Sequence, residues 1–80
     1  MKIPRDVSAK ELIKSLEHIG YSIERQKGSH ITLRYEKDSK IHNITIPNHN
    51  PIKLGTLNNI LKDISIFFEI SKEKLMEMLF

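Results

Sequence analysis

Apolar positions along the chain fall first on a helical period, then on a period of two, then on a helical period again. Between Ser8 and Ile19, the residues Leu12, Ile13, Leu16 and Ile19 recur at i, i+1, i+4 and i+7, one stripe of an amphipathic helix. Lys10, Lys14 and Glu17 lie off that stripe. Ser8 and Glu11 have the spacing of a capping box, in which the Ser8 hydroxyl accepts from the Glu11 amide while the carboxylate reaches back. Gly20 supplies a left-handed position to end the helix.

From Tyr21 the period is two. Tyr21, Ile23 and Arg25 alternate with Ser22, Glu24 and Gln26, and Gly28-Ser29 reads as a two-residue turn. His30 to Glu36 alternates again, with Ile31, Leu33 and Tyr35 on one face and His30, Thr32, Arg34 and Glu36 on the other. Lys37 to Lys40 is a second polar turn. Ile41 to Ile46 is a third strand rich in β-branched residues, stopped by Pro47. Asn48 to Leu54 is a polar loop containing His49 and Pro51. Gly55-Thr56 then opens a second long helix with the stripe Leu57, Ile60, Leu61, Ile64 and Phe68. Ser71 caps a short last helix in which Leu75, Met76 and Leu79 pack. The order α-β-β-β-α-α predicts an α+β fold, a three-stranded antiparallel meander with its helices on one face and a bare second face.

Composition narrows the function. A chain of 80 residues, 39% hydrophobic, has room for one small domain, taken as residues 1–80. It leaves little space for a deep cofactor pocket, and no cofactor is expected. The absence of cysteine excludes a disulfide scaffold and thiolate-ligated zinc. No apolar run approaches the roughly 20 residues of a membrane span, and Met1 to Arg5 has no apolar stretch of a secretory signal. The expectation is a cytoplasmic protein. The formal charge of +3 is uneven: residues 1–62 hold eleven basic and six acidic side chains, residues 63–80 two and four. A basic body with an acidic tail suits a polyanion partner such as nucleic acid.

Four histidines are candidates for chemistry. His30 stands directly after the Gly-Ser turn, on the polar face, near Arg25, Lys27 and Arg34 in sequence. Imidazole titrates near pH ~6.5 and serves as general acid or base at cellular pH. RNA carries its own nucleophile, the 2′-hydroxyl, so a base for that proton and cations for the phosphate suffice. His49, in the loop before the second long helix, is a possible helper at phosphate. His42 lies on the third strand, and His18 near a helix C-terminus is favourable through the dipole alone. Their spacings match no helical ligand pair, and no metal is expected. Glu69, Glu73 and Glu77 are four apart, but the helix boundary near Ser71 breaks the row and leaves a solvated face.

Three motifs in this order resemble one family: Gly20 followed by a strand running into Lys27-Gly28-Ser29-His30; Ile46-Pro47-Asn48-His49; and Gly55-Thr56-Leu57 leading to Ile60-Leu61-Lys62. Over about residues 8–79 the chain is similar to the HicA toxins, also called YcfA-like. The resemblance implies a fold like a double-stranded-RNA-binding domain. It implies a ribonuclease that cleaves mRNA in a toxin–antitoxin pair, with His30 as the catalytic histidine, and an antitoxin, HicB, that covers it. On this reading Arg25, Lys27 and Arg34 hold phosphate, while Ser29 and the Gly28 backbone shape the turn. The long apolar end of the second helix and the acidic last helix depart from the shortest family members. Phe67, Phe68 and Phe80 there either finish the core or make a weak contact between copies. Two other functions fit the same residues: a non-catalytic RNA-binding module, which needs only basic and hydroxyl contacts, and a protein-interaction domain that pairs through its sheet.

Overall fold

In the computed structural model, residues 4–80 are described; Met1 to Ile3, on which part of the secretory-signal argument rests, lie outside the described residues. The elements follow the order α1 (Ala9–His18), β1 (Tyr21–Lys27), β2 (His30–Lys37), β3 (Lys40–Pro47), α2 (Leu54–Phe68) and α3 (Lys72–Leu79). The strands form one antiparallel sheet in the order β1-β2-β3. The α+β, double-stranded-RNA-binding-domain-like arrangement expected from the sequence is therefore present.

Local chemistry sets the element ends. The Ser8 hydroxyl accepts from the Glu11 amide at 3.1 Å, and the Glu11 carboxylate accepts from the Ser8 amide at 3.4 Å. The capping box satisfies two amides that α1 leaves open, a contribution of about 1 kcal/mol. The Ser71 hydroxyl caps one amide of α3, accepting from Lys74 at 3.0 Å. α2 begins one residue earlier than the Gly55-Thr56 pair suggests, at Leu54, and its N-terminus has no side-chain cap. After α1 the chain turns at Gly20, with φ +117°; a Cβ there would lie 2.8 Å from the Tyr35 ring. The two hairpins are two-residue turns. Asp38 and Ser39 both have positive φ, the backbone of a type I′ turn.

One sheet face carries the core. Ile31 and Leu33 of β2 and Ile44 and Ile46 of β3 are buried in a single cluster with the apolar stripes of all three helices. Leu12, Leu16, Leu57, Leu61, Ile64 and Leu75 are fully buried, each worth roughly 1.5–3 kcal/mol of transfer. Phe68 packs against this cluster, while Phe80 is half exposed.

The sequence alternation fails at one point. Ile23 pairs with Leu33, but Arg25 pairs with Thr32, so Glu24 is an extra residue in β1. This β-bulge reverses the phase of everything after it. Unbroken alternation puts Arg25 on the face of Tyr21 and Ile23; the bulge moves it, and Lys27 with it, to the open face.

Candidate active site

Directly opposed residues of neighbouring strands share a face. On the face away from the helices they form three rungs: Lys27–His30–Pro47, Arg25–Thr32–Thr45 and Ser22–Arg34–Asn43. Lys27 and His30 of the first rung, the whole second rung and the turn residues Gly28 and Ser29 line an open hollow of about 520 Å³. The bulge at Glu24 thus gives the hollow both of its cations.

The hairpin holds His30 at its mouth. Gly28 has φ +60° at the first turn position, and nothing lies within 4 Å of where a Cβ would stand. Glycine is therefore required there by the backbone and not by crowding. The Ser29 carbonyl accepts from the Asn48 amide at 2.6 Å, tying the start of β2 to the end of β3. His30 itself is exposed. Among the described residues, the side chains of His30, Arg25 and Lys27 have no hydrogen-bond or ion-pair partner. No residue lining the hollow is acidic. Three donors of positive or titratable character thus face solvent with no anion to satisfy them, a surface suited to phosphate.

Two of the sequence candidates stand apart. Arg34 is on the open face, but its guanidinium is held 3.3 Å from the Glu36 carboxylate and it does not line the hollow. His49 is exposed in the loop after β3, outside the hollow; its backbone carbonyl accepts from the Ala9 amide at 3.1 Å and so anchors α1. Thr45 lines the hollow without having been singled out from the sequence. Its signal was the alternation Ile44-Thr45-Ile46, which turns the hydroxyl away from the core.

His42 occupies a different environment on the core face of β3. Its Nδ1 is 2.7 Å from the Tyr21 hydroxyl, and its Nε2 is 3.3 Å from Asp63 of α2. Its ring stacks on Phe67 at 4.5 Å, within an aromatic group that includes Tyr21, Tyr35 and Phe68. Burial pushes the Tyr21 phenol well above its ordinary value, and Asp63 and then Tyr35 add to the effect. Among the described residues no group of three or more histidines and carboxylates is placed to hold a metal ion. No described helix is long and apolar enough to cross a membrane.

Fold and site together define a small α+β domain with one bare sheet face and a free histidine set among cations. The chain belongs to the HicA toxin family of bacterial toxin–antitoxin systems: the family model matches residues 9–66, from the start of α1 into the last turn of α2. The family is one of RNA-cleaving toxins. α3 lies beyond the matched segment. Neither the curated proteins nor the solved structures include a match to the chain.

Proposed function

We propose that this chain is a toxin endoribonuclease that cleaves mRNA without a metal, with His30 as acid/base. The observation that carries this reading is the hollow itself, where an unpartnered histidine stands among Lys27, Arg25 and three free hydroxyls with no carboxylate in the lining. His30 takes the proton of the 2′-hydroxyl, and that oxygen attacks the adjacent phosphorus. The P–O2′ bond forms as the P–O5′ bond breaks, leaving a 2′,3′-cyclic phosphate on one product. The departing 5′-oxygen takes a proton from water and becomes a hydroxyl, and the proton held by His30 returns to the hydroxide left behind. Lys27 and Arg25 stabilise the charge that develops on the phosphate oxygens. A HicB-like antitoxin neutralises the toxin by covering the hollow.

The test is cleavage of single-stranded RNA with a chelator present. The wild type is expected to give cyclic-phosphate ends, and His30→Ala to lose at least ~100-fold in rate. Unchanged cleavage by His30→Ala would remove His30 from the mechanism. A second reading, a non-catalytic RNA-binding module, draws on one observation: apart from His30, the side chains that line the hollow are cations and hydroxyls, which hold RNA without chemistry. It predicts RNA binding by the wild type with no products.

A further inference from the structure

The hollow is not symmetric across the sheet. Both rungs run from a cation on β1, through β2, to an uncharged residue on β3: Lys27–His30–Pro47 and Arg25–Thr32–Thr45. Phosphate oxygens only accept, and the β1 side already offers two positively charged donors. The β3 side of the lining offers Thr45, whose hydroxyl both donates and accepts. Among the described residues neither the Thr45 nor the Thr32 hydroxyl has a hydrogen-bond partner. Thr45 is also exposed, so it does not serve the core. A hydroxyl that both donates and accepts, across the sheet from the cations, fits the edge of a nucleoside, where donors and acceptors alternate.

We infer that Thr45 is a specificity-determining residue that contacts the nucleoside immediately 5′ of the scissile phosphate. The inference rests on the ribonuclease reading and extends it to the direction of the substrate. If the phosphate lies over the β1 cations, the nucleoside whose 2′-hydroxyl His30 deprotonates lies on the other side of His30, over β3. The strand of RNA then crosses the sheet, from β3 to β1 in its 5′-to-3′ sense.

The experiment maps cut positions in a random-sequence RNA pool for the wild type, Thr45→Val, Thr45→Ser and Lys27→Gln, with kcat/KM on one oligonucleotide cut by the wild type. Thr45→Val removes the hydroxyl while keeping a β-branched side chain on an exposed position, and thermal unfolding checks its fold. The expected result is a changed nucleotide distribution immediately 5′ of the cut and a kcat/KM on the preferred sequence lower by about 3–10-fold, the weight of one hydrogen bond. Thr45→Ser restores the distribution, and Lys27→Gln lowers cleavage at all sites with the distribution kept. A Thr45→Val protein with the wild-type distribution overturns the inference while leaving the ribonuclease reading intact. A wild type that gives no products overturns both.

Discussion

Two histidines at opposite ends of one sheet are used in opposite ways. His42 is held from three sides, by the Tyr21 hydroxyl, by Asp63 and by the stacked Phe67 ring, and it joins β1, β3 and α2. Its side chain is 14% exposed. His30 touches no partner among the described residues and looks out over a cationic hollow. A polar side chain with its bonds satisfied inside the fold contributes to the fold. One left unsatisfied at the surface, with others of like character, is free for a ligand. The aromatic rings follow the same division. Tyr21, Tyr35, Phe67 and Phe68 cluster around His42, and none lines the hollow. The open face therefore has no platform for stacking bases, and on the proposed function its contacts to RNA come from cations and hydroxyls.

Exchanging either histidine for alanine separates the two roles, and the largest effects are expected here. His30→Ala should lose cleavage by ~100-fold or more, with stability within about 0.5 kcal/mol of the wild type, as for an exposed site. His42→Ala should do the reverse. It strips the buried Tyr21 hydroxyl of its partner and removes a stacked ring, at a cost of about 2–3 kcal/mol. For a domain this small that lowers Tm by roughly 10–20 °C. Cleavage per folded molecule should be unchanged. Thermal unfolding and single-turnover cleavage of both variants check the pair. A His42→Ala protein as stable as the wild type would show that the Tyr21–His42–Asp63 chain holds nothing together.

The difference between the two ends also explains what was legible in the sequence. The caps at Ser8 and Ser71, the hairpin turns, the helical stripes and the placement of His30 rest on spacings of a few residues. Each was readable for that reason. The surroundings of His42 were not, because Tyr21, His42 and Asp63 lie about twenty residues apart and meet only when α2 packs on the sheet. The bulge at Glu24 was hidden for another reason. Period two is read as a strand with an unbroken phase, and nothing in Ile23-Glu24-Arg25 announces an extra residue. Arg25 and Lys27 were named as phosphate ligands from their nearness to His30 in sequence, while the alternation put Arg25 on the wrong face. Arg34 shows the converse. Its face was right, but its pairing with Glu36, two residues along the same strand, takes up its charge.

That contrast among the arginines gives a smaller effect. Lys27→Gln and Arg25→Gln should each weaken RNA binding about 10-fold and reduce the slope of log affinity against log salt by about one. Arg34→Gln should weaken it less than about 3-fold, because its guanidinium already faces a carboxylate. Salt titrations of binding to the His30→Ala protein, which does not consume the RNA, measure all three. Equal losses from Arg25→Gln and Arg34→Gln would mean that the Glu36 pair opens for substrate and that the RNA extends over the third rung.

The smallest effect lies at the other end of the sheet and depends on pH. The Tyr21 phenol is raised well above its ordinary value, first by burial and then by Asp63 and Tyr35. Below pH ~10, where a free phenol keeps its proton, folded and unfolded chains are alike in this group and it adds no pH dependence. Above that, the unfolded chain releases the proton first, so stability falls as pH rises. Tyr21→Phe keeps the ring against Tyr35 and Phe68 but removes the hydroxyl. At pH 8 it should cost about 1 kcal/mol for the lost bond to His42. Between pH ~9 and ~11, its urea midpoint should fall less steeply than that of the wild type. Equal slopes would assign the alkaline loss to other groups and leave the Tyr21 hydroxyl as a hydrogen-bond partner of His42 alone. A shallower slope makes the Tyr21 hydroxyl part of the fold in the sense that His30 is not: its proton must stay on for the sheet and α2 to remain joined.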